Sequence, residues 1–389
     1  MRLTKKKILF INTHYAPDYK YGGVVESGSK LFKCLRTITD SIKIVVISEN
    51  PARVYQYLKK AEEGFCYKSI FFHSFGFSIS SLWGLWKNIK DSDVIWLNGL
   101  FSFHNTLAFI YTILLKKEFI VSLRGGFEEW SLKSKAWKKK PYCLLVLPLM
   151  RKARYIHVTS ELEKTTAIKL GFVDNIIYIP NGIDIELFSI LPDKYSFKNK
   201  YDGKFIFLFL SRTDKEKGLD ILIDAYRKLC ENVDRNEHLL VIAGPDLQDY
   251  LKKLSIDFQK ENIERMDGVY GEDKIKLIRR SDVVILPSYS ENFGNIVAEA
   301  LACERPVITT TGTPWKEIEN IGCGYYIRPN KEELYNAMKA VYQKSKEERE
   351  EMGKKGRKYI FDHFNWESKA KELFKYLKEI ADEDAVHEK

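Results

Sequence analysis

The sequence predicts an α/β protein made of two parallel-sheet domains, on three observations. Short β-branched or apolar runs alternate with longer amphipathic stretches along the chain, and strand–helix alternation specifies parallel sheets covered on both faces. The alternation comes in two successive sets. The 389 residues, at roughly 100–200 per domain, suit two cores. Hydrophobic residues at 45% and aromatics at 13% exclude a disordered chain.

In the first set, strands are expected at 7–12, 43–48, 69–75, 94–98, 119–123, 155–159 and 176–179. In the second they are expected at 205–211, 239–243, 264–267, 283–287, 306–309 and 325–327. Helical patterns such as Leu219–Cys230 and Asn295–Cys303 separate them. Pro192 and a polar stretch place the boundary near Ile190–Lys200, giving domains 1–190 and 191–365. The charged segment Lys344–Lys355 reads as a solvated helix face, and Asp362–Ala381 as an amphipathic helix through Trp366, Phe374 and Leu377. The end of the chain, 366–389, is expected to pack back on the first domain. Sheets of this kind bind ligands outside the carboxyl ends of their strands, so a cleft between the domains is the expected site.

The net charge of +10 is unevenly placed. Residues 1–190 hold 28 Lys+Arg against 16 Asp+Glu, a net of +12, and the remainder is −2. An anionic partner is implied for the first half: a membrane surface, nucleic acid or a phosphorylated substrate. Tryptophan and lysine are interleaved there, at Trp83, Trp86, Lys87 and Lys90 and at Trp130, Lys133, Lys135, Trp137 and Lys138–Lys140. The six cysteines form no CxxC pair, which argues against a zinc site or disulfide scaffold and for a reducing compartment. The apolar run after Lys7 lasts four residues, too short for a signal peptide core. The longest apolar runs, Leu107–Leu115 and Tyr142–Met150, are about half of the ~20 residues a span needs. A cytoplasmic protein, or one peripheral at the inner face of the plasma membrane, is expected.

Gly23 to Lys30 nearly forms a phosphate-binding P-loop, but Lys30 follows Ser29 instead of Gly28, so a P-loop NTPase is rejected. Gly22-Gly23 precedes a helical stretch, where glycine lets backbone N–H groups face an anion. Arg212 and Lys217 follow the first strand of the second half, two cations suited to a diphosphate. The segment Pro287–Ala300 runs from an apolar strand through a turn with Glu291 and Gly294 into a helix carrying Glu299. The N–H groups of Gly294, Asn295 and Ile296 at that helix start suit phosphate oxygens, and the carboxylates suit sugar hydroxyls.

Together these segments resemble the retaining glycosyltransferases of family 4, which have the GT-B fold of two Rossmann-like domains facing across a cleft. Glu291 and Glu299 are similar to the family's paired glutamates, Ser211–Asp220 to its Gly-Arg…Lys-Gly-Leu-Asp segment, and Pro180-Asn181-Gly182-Ile183-Asp184 to its Pro-Asn-Gly-Val-Asp. Val241–Pro245 and Gly22-Gly23-Val24 also match. The resemblance implies a transferase (hexosyltransferase class) moving a sugar from a nucleoside-diphosphate-sugar to a glycan or polyprenyl-diphosphate-linked acceptor. The first domain would take the acceptor and the second the donor.

By the same resemblance, Arg212, Lys217 and Glu291 are catalytic, and Gly22, Gly23, Val269, Gly294, Asn295, Ile296 and Glu299 bind the donor. No cofactor or metal is implied, because cations and a helix start neutralise the departing phosphate. Arg124 stands where many members carry a histidine, within Val121-Ser-Leu-Arg124-Gly125-Gly126. Arginine keeps its charge and cannot shuttle protons, so Arg124 is a candidate acceptor or donor contact, with His104 beside it. A related Pro-Arg-Gly pattern marks a branch of the family in bacterial surface-polysaccharide assembly, which favours an anionic membrane over nucleic acid. A basic nucleic-acid-binding protein and a same-fold nucleotide-sugar epimerase are the alternatives.

Overall fold

Buried β-branched runs supply the strands and amphipathic segments cover them. The structure is a computed structural model that describes residues 6–387 apart from 59–62, 71–75, 129–131, 133–135, 195–200, 202 and 247–248. The chain forms two compact units, Met1–Gly182 with Trp366–Lys389, and Ile183–Asn365.

The first unit runs β1 (Ile8–Ile11), α1 (Gly23–Ile38), β2 (Ile42–Ser48), α2 (Pro51–Tyr57), β3 (Gly64–Lys68), α3 (Ser80–Lys90) and β4 (Val94–Asn98). It continues with α4 (Phe103–Leu114), β5 (Glu118–Ser122), α5 (Ala136–Met150), β6 (Tyr155–Val158), α6 (Glu161–Lys169) and β7 (Ile176–Tyr178). Among the described residues these strands form a parallel sheet in the order β3-β2-β1-β4-β5-β6-β7. Ile8 of β1 pairs with Ile42 on one side and Val94 on the other. The order reverses at β1/β4, the switch point where open α/β sheets bind ligands. Side-chain caps begin three of the helices, Asn50 accepting from the Arg53 N–H, Ser102 from that of Asn105 and Ser160 from that of Glu163.

The second unit runs β8 (Phe205–Leu210), α7 (Leu219–Cys230), β9 (His238–Ala243), α8 (Tyr250–Lys253), β10 (Ile263–Met266), α9 (Gly271–Arg280) and β11 (Val283–Leu286). It closes with α10 (Asn295–Ala302), β12 (Val307–Thr310), α11 (Glu317–Ile321), β13 (Gly324–Ile327), α12 (Lys331–Gln343) and α13 (Lys346–His363). The parallel sheet order is β10-β9-β8-β11-β12-β13, with its switch point at β8/β11. The final helix, α14 (Trp366–His387), joins the first unit's core through Trp366, Ala370, Leu373 and Leu377. A Cβ on Gly182 would lie 2.6 Å from the Trp366 backbone, so glycine lets the two crossings of the chain touch.

Two expectations need correction. The third strand is Gly64–Lys68, not 69–75, of which 71–75 lie outside the described residues. It is an edge strand whose side chains alternate between buried and half-buried, so it carries no continuous apolar run. Gly64 also lies against the Ile44 carbonyl, where a Cβ would approach to 2.4 Å. The expected helix across 362–381 is two helices: α13 ends at His363, and α14 starts after Phe364-Asn365. The Ile183 N–H donates to the Phe364 carbonyl at 2.5 Å, pinning that break.

Candidate active site

Four loops converge at the carboxyl ends of the second sheet. The β8 loop holds Arg212 and Lys217 and ends at Gly218, which caps α7 in the left-handed conformation with φ 67°. A Cβ there would sit 2.0 Å from the Pro287 carbonyl oxygen, so only glycine lets this loop lie against the end of β11. The Tyr289 N–H donates to the Glu216 carbonyl at 2.8 Å and joins the same two loops. The Thr213 N–H donates to Pro245 O in the β9 loop, and Glu291 N–H to Gly312 O in the β12 loop.

This scaffold brings Lys217 and Glu291 into contact, 74 residues apart in sequence. Lys217 Nζ donates to Glu291 Oε1 at 2.7 Å, and Ser288 Oγ donates to the same oxygen at 3.0 Å. Both charged side chains are nearly buried, at 11% and 12% exposed. Burial opposes the ammonium charge, but the Glu291 and Glu216 carboxylates outweigh it and hold the Lys217 pKa above the usual lysine value. Burial pushes the Glu216 carboxyl up. Arg212 is the more open cation, 40% exposed and 3.6 Å from Asp214.

Beyond Glu291, Gly294 takes φ 76° and caps α10. Asn295 and Ile296 begin that helix, so its start presents N–H groups and the positive dipole end to the loop. Trp315, from the β12 loop, packs on Phe293 and donates its indole N–H to the Phe293 carbonyl, which fixes the turn from below. Glu299 is buried inside α10, and Lys274 Nζ of α9 donates to its Oε1 at 2.6 Å. Lys274 and Ser288 were not singled out in the sequence. Lys274 becomes visible only when α9 packs beside α10, whereas Ser288 lies three residues before Glu291 in the same loop. Val269 follows β10 at the same end of the sheet and is half-buried against the core.

The first unit carries a separate polar cluster at its own switch point. Gly22 (φ 93°) precedes α1, and Gly23 is its first residue. Gly28 of the near P-loop lies inside α1, where a Cβ would meet Asn12 Nδ2 at 2.6 Å and Asn98 Nδ2 at 3.1 Å. This glycine therefore serves a close approach of helix to strand ends. Asn98 Nδ2 donates to Asn12 Oδ1 at 3.1 Å.

Arg124 follows β5 in the left-handed region with φ 54°, uncommon for a non-glycine residue. Its Nε donates to Asn98 Oδ1 at 2.5 Å and an Nη to Asn181 Oδ1 at 2.7 Å. The buried Glu163 carboxylate accepts from the N–H groups of Gly125 and Thr159 at 2.6 and 2.7 Å. Burial lowers the Arg124 pKa to about 10, against the opposing pull of Glu163. Arg124 thus knits β4, β5 and the Pro180-Asn181-Gly182 segment together. His104 lies in the first turn of α4, fully buried, and burial holds its pKa down to about 3. Among the described residues, no group of three or more His, Cys, Asp or Glu is placed to hold a metal ion. No helix of the described residues is long and apolar enough to cross a membrane.

Two Rossmann-like parallel-sheet units in one chain are the architecture of the GT-B glycosyltransferases. The family model described as glycosyl transferases group 1 matches residues 193–359, and that described as Glycosyltransferase Family 4 matches residues 30–187. The chain belongs to the family-4 type of GT-B glycosyltransferases. It is 26% identical over 68% of its length to an uncharacterized 41.2 kDa protein in the cps region of Klebsiella pneumoniae, covering 74% of that protein. It is 28% identical over 43% of its length to the capsular polysaccharide biosynthesis glycosyltransferase CapM of Staphylococcus aureus, covering 43% of that protein. Among solved structures, Anabaena HepE in complex with UDP and glucose superposes with a TM-score of 0.75 at 18% identity, covering 96% of this chain and all of that one. Membership favours sugar transfer over the nucleic-acid-binding and epimerase alternatives.

Proposed function

We propose that the enzyme transfers a sugar, with retention of anomeric configuration, from a nucleoside-diphosphate-sugar to a glycan or polyprenyl-diphosphate-linked acceptor in cell-surface polysaccharide synthesis. The observation that carries the donor reading is the Lys217–Glu291 pair, with Arg212 beside it, at the switch point of the second sheet. In this reading Arg212 and Lys217 take the diphosphate and stabilise the departing nucleoside diphosphate, so that no metal is needed. Glu291 holds Lys217 until the donor arrives and then contacts the sugar. The start of α10, at Gly294, Asn295 and Ile296, receives the distal phosphate, Glu299 the ribose hydroxyls, and the Val269 loop the base. The UDP complex of Anabaena HepE supports a nucleotide-sugar donor, and the cps-region and capsular relatives support the polysaccharide setting. With a lipid-linked acceptor, the enzyme works at the inner face of the plasma membrane, which the +12 of its first half favours.

A thermal-shift screen of UDP- and GDP-sugars in the presence of a chelator tests the donor site, followed by NMR of the product anomer. One donor class is expected to raise the midpoint, and the product to keep the donor's configuration. No shift with any nucleotide-sugar, or an inverted product, overturns the reading.

A further inference from the structure

α3, α4 and α5 lie on one side of the first sheet. Leu85 and Ile89 of α3, Ala108 and Phe109 of α4, and Val146 and Met150 of α5 all enter a single core cluster. Trp86 meets Tyr111 edge-on at 5.2 Å, and the Tyr142 hydroxyl lies 3.0 Å from Thr106 Oγ1, so the three helices are neighbours. Their outward faces therefore point the same way. Those faces are apolar where a solvated helix would be polar. Trp83 is 83% exposed, Leu114 63%, Leu144 77% and Leu145 73%, with Ile110 and Trp86 also exposed. Single exposed apolar residues are ordinary, but a group of them on adjoining helices marks an interaction surface.

The charge on these helices is one-sided. Across Ser80–Lys90, Phe103–Leu114 and Ala136–Met150 there is no aspartate or glutamate. The exposed Lys87, Lys90 and Lys140 lie on α3 and α5; within two residues after the three helices come Lys116, Arg151 and Lys152 against one carboxylate, the exposed Asp91. We propose that this three-helix face docks on an anionic lipid bilayer, with its leucines and tryptophans entering the headgroup–acyl boundary and its lysines on the lipid phosphates. The proposal deepens the peripheral reading above and is independent of the donor assignment.

The charge pattern decides between occupants. A two-fold dimer would set this face against itself, lysine to lysine, with no carboxylate on any of the three helices to pair them. Nucleic acid would engage the lysines and leave Ile110, Leu114, Leu144 and Leu145 against phosphate and water. A bilayer satisfies both features. Of the tryptophan–lysine stretch 130–140 expected to form this surface, Trp130, Lys133 and Lys135 lie outside the described residues. The exposed leucines of α5 lie just beyond it.

The test is vesicle flotation of the full chain, with phosphatidylglycerol–phosphatidylcholine vesicles compared with phosphatidylcholine alone. The wild type is expected to float with the anionic vesicles and to be released by salt. Leu144→Ser with Leu145→Ser should weaken binding at least tenfold. Lys87→Ala with Lys90→Ala should weaken it by about 25-fold at low salt, roughly fivefold per lysine. Ile190→Ser, at an equally exposed apolar residue of the second unit, should float as the wild type does. All variants should keep the wild-type thermal shift with nucleotide-sugar, which separates this test from that of the donor site. Failure to float with anionic vesicles overturns the proposal. So does flotation insensitive to both double substitutions, or a solution dimer that these substitutions dissociate.

Discussion

Replacing Lys217 by methionine tests the centre of the donor site. At 2.7 Å, the attraction between Lys217 and Glu291 is about 6 kcal/mol for an effective dielectric of about 20. Desolvation of two nearly buried ions offsets much of that, so the net worth of the pair is small. Breaking it is another matter. Lys217→Met leaves Glu291 next to Glu216 with no buried cation, a situation that costs about 3 kcal/mol. Glu291→Gln leaves a buried ammonium and costs a similar amount. In the double variant neither charge remains, so unfolding free energy should recover by about 2 kcal/mol relative to the sum of the singles.

Hydrogen-exchange protection of β8 and β11 amides follows the stability of the second unit directly. Donor turnover, measured beside it, should behave differently. Loss of a cation at the departing diphosphate costs about 10²–10³ in rate, and the double variant should stay as slow as Lys217→Met. Stability that recovers without turnover is the expected signature. Additive stability effects would refute the buried pair, and near-normal turnover of Lys217→Met would refute its catalytic role.

Three further outcomes are expected. Gly218→Ala forces a Cβ to within 2.0 Å of the Pro287 carbonyl at φ 67°, so unfolding by urea should show a loss of about 2 kcal/mol or more, with weaker donor binding; an unchanged midpoint would refute the packing described. Arg124→Leu removes the donors to Asn98 and Asn181 and the cation near Glu163, with an expected loss of about 3 kcal/mol. Arg124→Lys should recover only part of it, because one ammonium cannot reproduce the guanidinium fork, and full recovery would refute that account. Burial holds the pKa of both His104 and His157 down to about 3, against an unfolded value of about 6.5. The unfolded chain takes protons that the folded chain refuses, so stability of the first unit is full above pH 6.5 and falls below it. The loss is about 1.4 kcal/mol per histidine at pH 5.5, and equal stability at pH 7.5 and 5.5 would refute it.

Strands buried on both faces were legible in the sequence. Lys43–Ser48, Val94–Asn98, Phe205–Ser211 and Val283–Pro287 each read as continuous apolar runs, and each is a strand to within one residue at either end. The edge strand Gly64–Lys68 was not, because half of its side chains face outward and a more apolar segment follows it. The break at Phe364-Asn365 was hidden for a related reason. The amphipathic pattern runs through it, and a hydrogen bond from Ile183, far away in sequence, makes the turn.

For the candidate site, the sequence by itself determined which residue types lie at the carboxyl ends of which strands. Arg212, Lys217, Glu291, Gly294 and Glu299 are all placed by a local strand–turn–helix pattern. The tertiary structure decided their partners. Pairing Lys217 with Glu291, Lys274 with Glu299, and Arg124 with Asn98 and Asn181 depends on sheet order and on close loop contacts at Gly218 and Gly312. Local pattern records the preference of a residue for strand, turn or helix. It does not record which distant chain segment will neutralise its charge, because that is set by long-range packing of one sheet edge on the next.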